Sequence, residues 1–121
     1  MNRAWIVAAS ILFATPGFSK TFDVTLRYRA AGADRVYLVG SFNRWNAGNA
    51  NLMTNRDGVW TRTLTLEEGV YHYLYKQEPA AGLANGGWLR DPENRRSAPN
   101  SVGGSNSVLI VPDSFDTNAA G

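Results

Sequence analysis

Hydrophobic and polar residues alternate along several short stretches of the chain, which is the pattern of half-buried β-strands. The clearest stretch runs from Thr21 to Ala30, with apolar side chains on one face and polar side chains on the other. The sequence predicts further strands over 35–42, 59–66, 70–76 and 107–111. No segment has a helical period of useful length, so the pattern indicates an all-β chain.

Turn signals separate the predicted strands. A polar loop is expected from 43 to 57, ending in the tight-turn pair Asp57-Gly58, and a short hairpin turn at Glu67-Glu68-Gly69. The stretch 78–87 is rich in Ala and Gly and is predicted to be a flexible loop. Short strands at hairpin spacing predict an immunoglobulin-like antiparallel β-sandwich, with a small barrel as the alternative.

The N-terminal stretch 1–19 has the features of a secretory signal peptide. It begins with the basic Arg3 and continues with an apolar run over 4–14. Gly17 and Ser19 satisfy the small-x-small rule, so we predict cleavage after Ser19, with a site near the end of the apolar run as the alternative. An uncleaved anchor is less favoured, because the run is brief and a Pro-Gly pair ends it. The predicted location is periplasmic or secreted.

The chain of 121 residues accommodates one domain. We assign that β-sandwich domain to 20–111 and a flexible C-terminal tail to 112–121. The absence of cysteine excludes disulfides, thiol chemistry and cysteine metal sites. A formal net charge of +2 is too small to argue for nucleic acid as a partner.

Residues that could support catalysis are few. The single histidine, His72, lies within a predicted strand and is interpreted as a packing or surface residue. The carboxylate pairs Glu67–Glu68 and Asp91–Glu93 lie in a turn and a loop, where solvated charges are the simplest interpretation. We therefore expect no enzyme activity, no catalytic residue, no cofactor and no metal site.

Tryptophans are the strongest candidates for binding. Trp60 lies in a strand among leucines and is predicted to be in the core, whereas Trp45 and Trp88 lie in polar, Gly- or Asn-rich segments. A rigid indole offers an apolar surface to the C–H face of a pyranose, and neighbouring Asn and Lys side chains bind hydroxyls. The alternative, evenly weighted, is that each ring anchors its own loop.

Five sequence blocks stand in order along the chain. The first block is VYLVGSFNRW at 36–45. DGVW at 57–60, LEEGVYHYLY at 66–75, WLRDPEN at 88–94 and GGSNSVLIV at 103–111 follow in order. Together these blocks resemble family 48 carbohydrate-binding modules, which include the glycogen-binding domain of the AMP-activated protein kinase β subunit and N-terminal domains of isoamylases and branching enzymes. The resemblance covers nearly all of the predicted mature domain and implies an immunoglobulin-like sandwich that binds α-glucan.

The resemblance also implies a carbohydrate site. Trp45 stands where sugar-binding members stack a tryptophan on glucose, and Trp88 stands at the second stacking position. The closing loop places Val102 at the family's apolar contact and Asn106 at its asparagine. Gly104 stands where some members have a threonine.

Two positions depart from the family pattern. Leu74 stands where a lysine of the family contacts sugar hydroxyls, and a leucine side chain has no donor. Lys76, on the same strand face, is the expected substitute. The family's short turn before the second tryptophan is replaced by the longer stretch 77–87, which is expected to shift Trp88 or make it mobile.

The leading hypothesis is therefore non-catalytic binding of α-1,4-glucan, as glycogen, starch fragments or maltodextrin. The alternative is an exported protein-interaction domain that keeps the fold but has lost sugar binding, which the departures at Leu74 and 77–87 favour. A separate enzyme or envelope protein is the expected protein partner. Neither nucleic acid nor a membrane span after signal cleavage is expected.

Overall fold

The structure is a computed structural model that describes residues 20–112, and over this range the chain forms eight β-strands and no α-helix. The strands are β1 (Thr21–Arg29), β2 (Arg35–Gly40), β3 (Thr54–Arg56), β4 (Val59–Glu67), β5 (Gly69–Glu78), β6 (Trp88–Leu89), β7 (Ser97–Pro99) and β8 (Ser105–Val111). Short 3-10 segments occupy Ser41–Asn43, Asn49–Asn51 and Ala84–Gly87. The predicted signal peptide and all of the predicted tail except Pro112 lie outside the described residues.

The strands form two antiparallel sheets that pack as a sandwich. One sheet has the order β1-β4-β3, and the other has the order β2-β5-β8-β7. The short strand β6 pairs with β5 at Lys76 and Tyr75, beyond the part of β5 that pairs with β8. This arrangement confirms the predicted all-β sandwich. Across 20–112, no helix has the length and apolar character needed to cross a membrane.

Alternating side chains of the strands build the core between the sheets. Tyr73 and Tyr75 of β5 are fully buried, and Leu74 between them is half-buried on the outer face. Trp60 of β4 is 4% exposed and donates its indole N–H to the carbonyl of Ala30 at 3.1 Å, which confirms its predicted place in the core. The other buried members of the core cluster are Leu26, Tyr28, Val36, Leu38, Met53, Leu109 and Val111.

One strand ends earlier than the sequence pattern predicts, and two short strands lie where loops are predicted. The strand predicted over 35–42 ends at Gly40, because Ser41–Asn43 turns into a 3-10 segment. Phe42 nevertheless packs inward, with its ring centroid 6.1 Å from that of Tyr71. The sequence missed β3 and β7, which have three residues each and lie in stretches predicted to be loops.

Candidate functional site

The turn after β2 presents Trp45 at the surface. Asn43 holds this turn, because its side chain accepts a hydrogen bond from Gly40 N at 3.0 Å and donates one to Leu38 O at 2.9 Å. Trp45 N closes the turn on Gly40 O at 2.9 Å. Both Arg44 and Trp45 have left-handed backbone conformations, with φ of 58° and 59°. Non-glycine residues rarely adopt this conformation. The result is an indole that is 40% exposed.

The outer face of β5 forms the floor of a first hollow beside Trp45. The hollow has a volume of about 700 Å³, within the range of small-molecule sites. The turn between β7 and β8 lines the hollow as well, through Asn100, Ser101 and Val102. The side chains that line the hollow include those of Ser41, Trp45, Val70, His72, Leu74, Asn100, Val102 and Asn106.

A second hollow adjoins the first and contains Trp88. Its lining includes Trp88, Asn85, Arg90 and Leu74. Leu74 lines both hollows and therefore lies between the two tryptophans. The structure thus places both predicted stacking residues on one face of the larger sheet, on either side of the position that departs from the family pattern.

Lys76 lies directly beside Trp88. The two residues are paired across β5 and β6, and the Lys76 ammonium lies over the Trp88 ring, 5.9 Å from its centroid. This distance is typical of a cation–π contact. The same nitrogen is 4.0 Å from a carboxylate oxygen of Glu78. Trp88 itself is half-buried, so it is both supported from within the sheet and accessible from outside.

A buried carboxylate anchors the loop that follows Trp88. Asp91 is 6% exposed, and its Oδ2 accepts hydrogen bonds from the hydroxyls of Tyr73 at 2.6 Å and Tyr75 at 3.2 Å. Burial, and after it the charge of Asp91, raises the pKa of Tyr75 far above its usual value. The interpretation of Asp91 as a solvated charge is therefore wrong. Its partners are the hydroxyls of two core tyrosines, which are distant in sequence and therefore do not show in the local pattern around Asp91.

The remaining polar groups of this loop join it to the sheet. Asn94 donates to Val108 O at 2.8 Å and to the Tyr73 hydroxyl at 3.0 Å. The backbone N–H of Asp91 donates to the Ser107 hydroxyl at 2.8 Å. The D-P-x-N part of the motif is therefore structural. Its role is to fix the chain that carries Trp88.

The turn between β7 and β8 is organised by Asn100. The Asn100 side-chain oxygen accepts hydrogen bonds from Val102 N at 3.1 Å and Gly104 N at 2.9 Å. Its amide nitrogen donates to Asn106 Oδ1 at 3.2 Å. Val102 is 86% exposed at the tip of this turn, whereas Asn106 is only 7% exposed at the base of the hollow.

The six sequence-predicted site residues thus lie on the same side of the molecule. Four of them line the first hollow, Trp88 and Leu74 line the second, and Lys76 lies against Trp88. Sequence reasoning missed His72 and Asn100 as members of this face. The strand alternation that places His72 on the face of Leu74 and Lys76 could have identified His72. The position of Asn100 depends on the pairing of β7 with β8, which no local sequence pattern predicts.

Metal chemistry has no visible basis in this part of the chain. Over residues 20–112, no group of three or more His, Cys, Asp or Glu side chains is arranged to hold a metal ion. The polar groups of the two hollows are instead amides, hydroxyls, one imidazole and single charges.

Solved structures of other proteins contain a similar fold. Among solved structures, 69 chains match, including the enterobactin esterase of Shigella flexneri, crystallised with 2,3-dihydroxy-N-benzoyl-serine. That match has a TM-score of 0.55 and 19% identity, and it covers 74% of this chain but 30% of the esterase. At this identity the likeness shows the fold alone. No curated protein sequence matches the chain.

A family match extends over most of the sequence. Residues 22–117 match the family described as the glycogen recognition site of AMP-activated protein kinase. This range contains both hollows and all of the described strands except Thr21, the first residue of β1. By this match, which spans more than half of the sequence, the chain belongs to the glycogen-recognition family of carbohydrate-binding modules.

Proposed function

We propose that this domain binds α-1,4-glucan without cleaving it, and that Trp45 and Trp88 are the stacking platforms. Membership of the glycogen-recognition family implies an α-glucan ligand. The observation that carries the finer proposal is the placement of two accessible indoles on one sheet face, in adjoining hollows that share Leu74. Successive glucose units of a curved chain would contact one indole each.

Trp45 is suited to be the first platform. Its ring is 40% exposed, while its backbone is fixed by the hydrogen bond to Gly40 and by the Asn43 side chain. A rigid aromatic ring loses little conformational entropy on binding and buries a large apolar area. The apolar Val102 and Leu74 border the same hollow and would contact the C–H groups of the sugar.

Trp88 and Lys76 would act together as the second platform. The Lys76 ammonium lies 5.9 Å from the centroid of the indole and would contact hydroxyls at the edge of a glucose ring stacked on Trp88. The ammonium has three donors, and Glu78 engages it only at 4.0 Å. Lys76 is therefore our candidate for the hydroxyl-binding role that Leu74 cannot perform.

The proposed site is shallow and open on one side. Affinity for a single short glucan should therefore be modest, and a polymer that presents many sites should raise it by avidity. The proposed role is retention or delivery of glucan, with a separate enzyme or envelope protein as the proposed protein partner. A periplasmic or secreted location is likewise proposed from the N-terminal sequence.

Native gel electrophoresis of the protein, with glycogen or amylose cast into the gel, tests this function. We expect both polymers to retard the wild-type protein. Trp45→Ala should abolish the retardation, because it removes a platform, and Trp88→Ala should weaken it. Trp45→Phe is the matched control, since it keeps an aromatic face and should keep part of the retardation.

Circular dichroism of each variant separates loss of binding from loss of fold. Trp45→Ala should retain the wild-type spectrum, because the ring is outside the core. An unfolded Trp45→Ala variant would show that the ring supports the fold. Unchanged mobility of wild-type protein in several glucans would favour the protein-interaction alternative, and a pull-down would then identify the partner.

A further inference from the structure

His72 lies in the first hollow, next to the position where the family's lysine is missing. It is half-buried on the outer face of β5, beside Leu74. Its backbone N–H donates to the Ser41 hydroxyl at 3.1 Å, which ties this part of β5 to the turn that carries Trp45. The imidazole is therefore held close to the first platform and is part of the surface that a ligand would touch.

Hydrogen bonds behind His72 determine which ring nitrogen carries the proton. The oxygen of the Asn100 side chain accepts two backbone N–H groups, so its amide nitrogen must be the group that faces Asn106. That nitrogen donates to Asn106 Oδ1 at 3.2 Å. The amide nitrogen of Asn106 is then the atom that faces His72 Nδ1, at 3.5 Å.

This polarity leaves one arrangement for the neutral imidazole. An amide nitrogen donates, so His72 Nδ1 accepts, and the ring proton must be on Nε2. No hydrogen bond of residues 20–112 engages Nε2. The ring thus presents a donor that the protein itself leaves unpaired.

The other side-chain donors that line the hollow are the Trp45 indole, the hydroxyls of Ser41 and Ser101, and the amides of Asn100 and Asn106. Val70, Leu74 and Val102 are apolar. Asn106 is 7% exposed and its amide is already engaged on both sides. The side-chain amide of Asn100 is likewise used within its own turn.

We propose that His72 is a ligand-contacting residue that donates its Nε2–H to a hydroxyl or ether oxygen of the glucan stacked on Trp45. Asn106 and Asn100 are positioning residues that hold the neutral imidazole in the tautomer with its proton on Nε2. The inference rests on the proposed function of the face. It adds a donor to the first hollow, independent of Lys76 beside Trp88, in a chain whose aligned lysine is a leucine.

Two substitutions at His72 separate the donor from the shape of the ring. In His72→Gln, the amide nitrogen reaches the place of Nε2, so a donor remains. In His72→Asn, the shorter amide can still meet Asn106 but does not reach that place. With maltoheptaose in calorimetric titrations, we expect His72→Asn to bind about 3- to 10-fold more weakly than wild type, the usual value of one hydrogen bond. His72→Gln should stay within about 3-fold of wild type.

A second measurement does not depend on the ligand. The ¹⁵N chemical shifts of the neutral His72 ring should show Nε2 protonated and Nδ1 unprotonated in the free protein. A proton on Nδ1 would show that Asn106 does not donate to His72, and this result would overturn the proposal. Circular dichroism confirms that both variants are folded before their affinities are compared.

The outcomes distinguish this proposal from the function on which it rests. If wild type binds, Trp45→Ala does not, and His72→Asn equals wild type, then glucan binding stands and the role of His72 is wrong. If His72→Gln is as weak as His72→Asn, ring shape rather than the donor matters, and the proposal is again wrong. If wild type shows no affinity for any glucan, both proposals fall.

Discussion

At the scale of single residues, Asp91 shows how a charged group is kept inside this small domain. Its carboxylate is buried and accepts hydrogen bonds from two tyrosine hydroxyls and from the N–H of Glu93. Hydrogen bonds to a charged group are stronger than those between neutral groups, and they compensate for the loss of water. The carboxylate therefore links the Trp88 loop to the tyrosines of the core.

Replacing this carboxylate should be costly. Asp91→Ala removes the carboxylate that accepts hydrogen bonds from Tyr73 and Tyr75, and we expect the free energy of unfolding to fall by about 2–4 kcal/mol in urea titrations. Glu93→Ala is the matched control, since Glu93 is exposed and pairs with Arg27 and Arg29 at 3.5 and 3.7 Å. Surface pairs of this kind contribute about 0–1 kcal/mol. Equal effects of the two substitutions would contradict this account.

The buried tyrosines make stability sensitive to alkaline pH. Burial raises the pKa of Tyr28, and burial together with Asp91 raises that of Tyr75, from the usual value of 10.0. Below pH 10 both tyrosines are protonated in the folded and unfolded chains, so their contribution is fully present. Above pH 10 these two tyrosines ionise first in the unfolded chain, because their pKa values are raised in the folded chain, and the free energy of unfolding should fall with a slope of up to about 1.4 kcal/mol per pH unit for Tyr75.

Urea titrations at several alkaline pH values measure this slope. Tyr75→Phe cannot ionise, so its stability should decline less steeply above pH 10 even if it is lower at neutral pH. Parallel pH profiles for wild type and Tyr75→Phe would show that this hydroxyl does not control the alkaline transition.

Local sequence could predict some of these residue environments but not others. Trp60 stands within an alternating strand, and the alternation alone placed it in the core. Asp91 stands in a loop among arginines, and nothing nearby in sequence shows the tyrosine hydroxyls that reach it across the core. Trp45 and Trp88 lie in segments without alternation, so the sequence left their exposure open. The turn that holds Trp45 and the strand pairing that holds Trp88 determine how accessible each ring is.

At the scale of secondary structure, the end of β2 depends on a close approach at Gly40. A Cβ atom there would lie 2.5 Å from the His72 carbonyl oxygen and 2.8 Å from the Tyr73 Cβ. Both atoms belong to β5, the strand that pairs with β2. A glycine at this position therefore allows β2 to pair with β5 and then turn toward Trp45.

Gly40→Ala should separate these two strands locally. We expect a loss of about 1–3 kcal/mol, as for other overpacked sites, and a melting temperature lower by roughly 4–8 °C for each kcal/mol. Gly32→Ala is the control, because its Cβ would meet no atom within 4 Å. Thermal melts followed by circular dichroism compare the two. A Gly40→Ala variant as stable as Gly32→Ala would contradict the close packing.

Long strands and short strands differ in how well the sequence predicts them. β1, β4 and β5 have nine or ten residues each, enough for alternation to be visible. β3 and β7 have three residues each and owe their extended form to pairing with β4 and β8. Such pairing is a tertiary effect, and three residues are too few for a period to appear.

At the scale of the whole molecule, the proposed site exists only because the sandwich brings distant segments together. The turn after β2, the outer face of β5, the loop around β6 and the turn before β8 all contribute to the two hollows. The binding role of the six candidate residues stays a prediction. The resemblance to a family named all of them except Lys76, which was chosen because it lies on the same strand face as Leu74. It did not show that Leu74 lies between the tryptophans, or that Lys76 lies against Trp88.

The measurement that tests the central claim most directly is a ¹H–¹⁵N titration with maltoheptaose, followed at the tryptophan indole N–H signals. We predict shifts for Trp45 and Trp88 and none for Trp60, whose indole N–H is bonded to Ala30 inside the core. Trp→Phe variants assign the signals of Trp45, Trp60 and Trp88. Shifts confined to Trp45 and Trp88 would support stacking on this face. Unshifted Trp45 and Trp88 signals at saturating glucan, or a shift of Trp60 alone, would contradict it.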